Sequence, residues 1–125
     1  MEINIDKLEA ALQELKSTLK EGLLSSDIWD RASGLSLAGI ESQPAAVALF
    51  TEVTNNLAST LAESGFPGLN RYYFMELAGD HIVMVIRHRD DLLHGILMNS
   101  KKVNLGILLS VAVPKALASV EKARE

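Results

Sequence analysis

The stretch His81-Ile82-Val83-Met84-Val85-Ile86-Arg87-His88-Arg89-Asp90-Asp91-Leu92-Leu93-His94-Gly95-Ile96-Leu97-Met98 decides the fold. Residues 82–86 are apolar without alternation, and a strand apolar on both sides is covered on both sides. Arg89-Asp90-Asp91 reads as a turn, and residues 92–98 as the next strand. Immediately upstream, residues 70–78 form a strand joined to 81–88 at Gly79-Asp80. Earlier still, strands at 24–31 and 35–40 flank Ala32-Ser33-Gly34, where Gly accepts the positive φ of a hairpin turn. All direct strand-to-strand links are short, so the sheet is antiparallel.

Three helices supply the cover. Ile5, Leu8, Leu12, Leu15 and Leu19 recur at helical spacing, with Asn4 or Asp6 as a cap and Gly22 as a stop. Ser42-Gln43-Pro44 opens a second helix over 44–64, whose stripe is Val47, Phe50, Val53 or Thr54, Leu57 and Leu61, and which Gly65 and Pro67 end. A last helix runs to about Arg124 with the stripe Leu105, Leu108, Leu109, Ala112, Ala116, Leu117 and Val120. Pro114 interrupts its hydrogen bonding but not its apolar phase, which predicts one kinked helix. The order α-β-β-α-β-β-β-α is that of an α+β chain folded as a three-layer α/β/α sandwich around a five-stranded antiparallel sheet.

With 125 residues, 48% hydrophobic and 22% charged, the chain is expected to form a single domain over 1–125. It has no cysteine, which excludes a disulfide scaffold, thiol catalysis, zinc fingers and iron–sulfur clusters. Its net charge of −4 and lack of a basic stripe argue against a nucleic-acid partner. The start Met1-Glu2-Ile3-Asn4 has no basic or apolar leader pattern, and the apolar stretch 103–114 is about half a bilayer span. A cytoplasmic protein without membrane insertion is the expectation.

Candidate chemistry is sparse. His81 and His88 lie an odd number apart on one strand and point to opposite faces. His88 and His94 could meet across a hairpin, but two ligands are too few for a closed metal site, and all three histidines read as strand-end or surface residues. Gly34-Leu35-Ser36-Leu37-Ala38 lacks the strand-to-helix turn of a nucleophile elbow. Asp90-Asp91 reads as a solvated turn, Lys101-Lys102 as a solvated loop, and Arg31, Arg71, Arg87 and Arg89 as surface charges. No catalytic residue, metal ligand or cofactor is predicted. The feature that stands out is Asn70-Arg71-Tyr72-Tyr73-Phe74-Met75-Glu76-Leu77, a potential edge strand with aromatics and no Pro or Lys to protect it. If two copies join there about a two-fold axis, opposite residue numbers sum to an even value, so Tyr73 or Phe74 faces its own mate and Arg71 never faces Glu76.

Several stretches carry a family resemblance. Leu35-Ser36-Leu37-Ala38-Gly39 after a hairpin turn, Glu76-Leu77-Ala78-Gly79-Asp80-His81-Ile82-Val83-Met84-Val85 around a tight turn, and Val103-Asn104-Leu105-Gly106 before the last helix resemble the Roadblock / dynein light chain family. The resemblance implies a profilin-like fold with strand order 2-1-5-4-3, the second helix on one face and the other two on the opposite face. It implies a homodimer joined through residues 70–78 and 44–64, and hence an interface of Val47, Phe50, Thr54, Leu57, Tyr72, Tyr73, Phe74, Met75 and Glu76. It also implies a non-enzymatic regulator or scaffold of a small Ras-like GTPase, as in the bacterial MglB-type members. The alternatives are a structural adaptor without GTPase contact and a small-ligand sensing module. The resemblance assigns no residue of this chain to the partner contact.

Overall fold

The computed structural model describes residues 2–125. Helix α1 spans Ile5–Leu19, and Asn4 caps it by accepting the Lys7 N–H at 3.1 Å. A 3₁₀ turn over Lys20–Gly22 leads into β1, Leu23–Asp30, and then β2, Ser36–Ile40. Helix α2 covers Pro44–Glu63. Strands β3 (Tyr72–Leu77), β4 (His81–His88) and β5 (Leu92–Asn99) precede a terminal helix, α3, over 105–122. The strands lie in the order β2-β1-β5-β4-β3, every neighbouring pair antiparallel. The fold is the profilin-like α/β/α sandwich, and strand limits differ from the sequence reading by one or two residues.

The alternation of β4 and β5 divides the core. Ile82, Met84, Ile86, Ile96 and Met98 face α1 and α3, where they meet Leu15, Leu19, Leu108 and Ala116. Val83, Val85 and Leu93 face α2, where they meet Trp29, Val47 and Phe50. The uninterrupted apolar run of β4 is thus explained by two separate layers, one for each parity.

Helix α3 is continuous across Pro114, but its irregularity is not a simple kink. Residues Leu108–Ala112 form a π turn, and the Val113 N–H reaches back to the Leu108 carbonyl, five residues earlier. Pro114 then falls in the first turn of the following α segment, Val113–Lys122, where its missing N–H costs least. The inserted π turn keeps the buried stripe of Leu108, Ala112, Ala116 and Val120 on one side.

Asp27 ties α2 to the sheet. It is 4% exposed, accepts from the Ser42 hydroxyl, and accepts the Gln43 backbone N–H at 3.0 Å. It therefore satisfies a donor at the entry to α2 from outside the helix. Gly39 lies opposite it on β2, and a Cβ there would sit 2.7 Å from Asp27 Oδ1. The two ends of the chain also meet. Ile3 and Arg124 form an antiparallel bridge, the Asn4 N–H donates to the Ala123 carbonyl at 2.8 Å, and the Glu125 N–H donates to the Glu2 carbonyl at 3.0 Å.

Candidate interaction edge

Strand β3 borders the sheet and pairs only with β4. Its register is regular from Tyr72 opposite Ile86 to Leu77 opposite His81, without a bulge. Just before it, the Arg87 N–H donates to the Arg71 carbonyl at 2.6 Å. Residues 71 and 87 are thus a directly hydrogen-bonded pair. Antiparallel ladders alternate, so Tyr73, Met75 and Leu77 turn their backbone groups toward β4. Tyr72, Phe74 and Glu76 turn theirs outward, leaving an unpaired row of N–H and C=O groups.

The side chains of β3 divide the other way, between the two faces. Tyr73 and Met75 pack on the α2 side, and Tyr72 on the side of α1 and α3. Phe74, opposite Met84, shares that second side and is 44% exposed. The Tyr73 hydroxyl lies 2.9 Å from Thr54 Oγ1, and Thr54 also donates to the Phe50 carbonyl at 2.6 Å. Burial raises the Tyr73 pKa, and the hydrogen bond with Thr54 partly offsets this. Helix α2 and the edge strand are therefore clamped together within one chain.

This placement sorts the nine interface residues expected from the sequence. Tyr72, Phe74 and Glu76 offer backbone to the open edge, while Tyr73, Met75 and Leu57 are half-buried beside it. Val47, Phe50 and Thr54 are buried against their own sheet within the single chain. Their apolar stripe faces inward. The outward surface of α2 instead carries Ala45, Ala48 and Leu49, the last 53% exposed.

The histidine reading also needs correction. His88 and His94 are 4% and 0% exposed, not surface residues, because they continue the even-numbered row of Ile82, Met84, Ile86 and Ile96 beneath α1 and α3. They form a directional chain. Ser26 Oγ donates to the Gly95 carbonyl at 2.8 Å and so accepts from His94 Nε2 at 3.0 Å. His94 Nδ1 is then left to accept from His88 Nε2 at 3.2 Å. Both rings are neutral in this arrangement. Burial, with the nearby Arg124 charge, pushes the His88 pKa down to about 4, and Asp91 partly opposes it. Burial, then His88, holds His94 well below the usual imidazole range. Among the described residues, no group of three or more His, Asp or Glu is placed to hold a metal ion. His81 stands apart, on the opposite face, with Nδ1 2.9 Å from the Ala78 carbonyl.

Other residues singled out from the sequence serve as fasteners. Asp91 binds Arg124 through two oxygens at 2.7 and 2.9 Å, and Arg124 also donates to the His88 carbonyl at 2.9 Å. Arg87 is half-buried and donates to the Leu69 carbonyl at 2.6 Å, holding the α2–β3 loop. Lys101 and Lys102 form exposed ion pairs with Asp80 and Glu21. Ser36 opens β2 as an exposed strand residue. Beneath α2, a cavity of about 30 Å³ lined by residues including Asp27, Trp29 and Phe50 has room for about one water. A cleft of about 600 Å³ between the end of α1 and the start of α3 opens to solvent between Lys20, Glu21 and Lys102. No helix of the described residues is long and apolar enough to cross a membrane.

A five-stranded 2-1-5-4-3 sheet, two helices on one face and one on the other, and an open third strand define the class of Roadblock-like, profilin-type sandwiches. Solved structures agree. Myxococcus xanthus MglB superposes with a TM-score of 0.81 at 13% identity, over 98% of this chain and 90% of that one. A Roadblock/LC7 domain from Streptomyces avermitilis gives 0.63 at 16% identity, over 87% and 93%. Acanthamoeba castellanii profilin IA gives 0.54 at 16% identity, over 88% and 96%. By sequence alone, no family model and no curated protein matches the chain. At these identities the likeness is one of fold.

Proposed function

We propose that the chain is a homodimeric, non-enzymatic regulator or scaffold of a small Ras-like GTPase, acting in the cytoplasm by protein–protein docking. The observation that carries this reading is the open, regular edge of β3 beside an α2 whose outer surface is rich in apolar residues. The similarity in fold to MglB and to Roadblock/LC7 domains supports it.

The outward row selects a register. If Phe74 faces its own mate across a two-fold axis, Tyr72 faces the partner's Glu76 and Glu76 the partner's Tyr72. All three positions direct their backbone groups across the joint, so the ladder gains six hydrogen bonds. Centring on Tyr73 or Met75 gains four. Arg71 then lies opposite the partner's Leu77, in keeping with the even-sum rule. The joined sheet has ten strands, and the two α2 helices lie side by side on one face. They form the platform on which a GTPase would dock and have its switch segments biased toward one conformation.

The test has two readings. Sedimentation of the protein at micromolar concentration is expected to show a dimer. Single-turnover GTP hydrolysis or nucleotide release by a candidate Ras-like GTPase is expected to change when the dimer is added. A monomer, or a dimer that neither binds nor alters any small GTPase of its own cell, overturns the reading. The cavity beneath α2 has room for about one water and the cleft of about 600 Å³ beside α1 is open to solvent, so neither favours the ligand-sensing alternative.

A further inference from the structure

The sheet has a second feature at the end where β1 and β4 finish and β3 and β5 begin. Asp30 and His88 both lie opposite Leu92. The Arg31 N–H donates to the Asp91 carbonyl at 2.8 Å, and the Asp30 N–H donates to the Leu35 carbonyl at 2.9 Å. These bonds put Leu35, Arg31 and Arg89 along one row across the strand ends, with Arg71, opposite Arg87, two residues further in on the β3 side. From β1 to β3 the row spans three strand spacings, about 14 Å.

Every arginine of the chain, at positions 31, 71, 87, 89 and 124, sits at this end. Three are occupied: Arg124 by Asp91, Arg87 by Asp90 and the loop carbonyls, and Arg89 by Glu121. Arg31 gives its Nε–H to the Asn55 side chain at 2.9 Å. Neither Arg31 nor Arg71 has a carboxylate partner among the described residues. Leu35, 62% exposed, lies in the β1–β2 turn beside Arg31, and Phe66, 70% exposed, lies in the α2–β3 loop that leads to Arg71; they are the two most exposed large apolar side chains described. Phe66 lies between Gly65, at φ +77°, and Pro67. Its loop is tied down by Arg87.

We propose that this end of the sheet is a docking surface for an acidic protein segment carrying apolar anchors. The charge complement is specific. Two guanidiniums without acidic partners present planar forks suited to carboxylates, and Phe66 and Leu35 flank them as apolar contacts. An anionic membrane fits less well. Asp30, Asp90, Asp91 and Glu121 lie among the arginines, so the local field is too weak for adhesion to lipid, which takes clusters of about 4–8 basic residues. The residues of the surface all come from one chain, and in the proposed dimer Arg71 stands at the border of the joint, opposite the partner's Leu77 and outside the six hydrogen bonds.

The experiment is selection of a random displayed peptide library on the full chain, followed by synthesis of the enriched peptides. Enriched peptides are expected to be acidic with Leu, Ile or Phe at their centre. On titration into isotope-labelled protein they should shift amide resonances at 31–35, 66–71 and 87–90. The double variant Arg31→Gln, Arg71→Gln and the separate variant Phe66→Ser, each checked for an unchanged melting temperature, should each weaken binding about tenfold or more. A Glu→Gln version of the peptide should lose binding to a similar degree. No enrichment, enrichment of basic or neutral peptides, shifts elsewhere, or equal binding by the double variant would each overturn the proposal. So would vesicles with about 30% phosphatidylserine binding where the peptides do not.

Discussion

The two borders of the sheet are built in opposite ways. β2 is five residues long, has a register shift against β1 between Ile28 and Trp29, and lies under α1, where Leu37 and Ile40 join the core of Leu8 and Leu12. β3 is regular and flat in its pairing, has an exposed Phe74, and contains neither Lys nor Pro. Short, bulged and covered edges resist pairing with other chains, and long regular ones invite it. The same sheet therefore closes one edge and leaves the other open. In the proposed dimer this asymmetry would limit assembly to a pair, because a sheet open on both sides would continue to add copies.

The sharpest way to break this contrast is to place a charge on each edge in turn. Phe74→Lys sets two ammonium groups near the axis of the proposed pair, and the dissociation constant measured by sedimentation is expected to rise about 100-fold or more. Ile40→Lys on β2 should leave association unchanged. It should lower monomer stability in urea titration by about 1–2 kcal/mol, because its stem leaves a partly buried apolar contact. If both substitutions act alike, the edges are not different in kind.

Acid should strike the covered face rather than the open edge. Between pH 6.5 and about 4 the unfolded chain protonates at His88 while the folded one does not. Stability is therefore undiminished by this group above pH 6.5 and falls as pH drops toward 4. The shift corresponds to about 3 kcal/mol for His88. Urea unfolding at pH 7 and pH 4.5 reads it together with the same-signed contribution of His94, and His88→Gln, which keeps an N–H donor and cannot titrate, should reduce the difference without abolishing it.

Smaller effects sharpen the picture of the closed edge. Gly39→Ala pushes a methyl group against Asp27 and Ser42. It should cost about 1–3 kcal/mol by loosening the hold on α2. Thermal melting followed by circular dichroism reads this. The least effect is expected from Pro114→Ala, within about 1 kcal/mol in either direction, since the proline already lies in the first turn of an α segment. Loss of a single cooperative transition would mean that α3 is two independent elements.

The unalternated run at 82–86, the short direct links and the helical apolar stripes are enough to read the layers, the strand set and the helices. Strand order came from the family resemblance, and the structure has the same order. The site was legible only in part. The phase of α2 places Val47, Phe50 and Thr54 on one stripe, but periodicity does not say whether that stripe meets its own sheet or another chain. Ala45, Ala48 and Leu49 make the far side apolar too, which blurs the distinction. Parity would have found the buried histidines, since His88 continues the row of Ile82, Met84 and Ile86. The bonds from Asp27 to Ser42 and Gln43 had no comparable signal. They join residues 15 and 16 positions apart, and only the packing of α2 on β1 brings them together.

The seam between Ile3 and Arg124 has a practical consequence for rewiring the molecule. The chain's two ends run side by side, fastened by the Asn4–Ala123 and Glu125–Glu2 backbone bonds. A short glycine linker between them would span little distance, and new termini could be opened at Ser33-Gly34 in the exposed β1–β2 turn. Such a circular permutant would keep all five strands and α3 intact. Its ends would lie beside β2, so that a label or fusion partner could be attached on the border of the sheet far from β3.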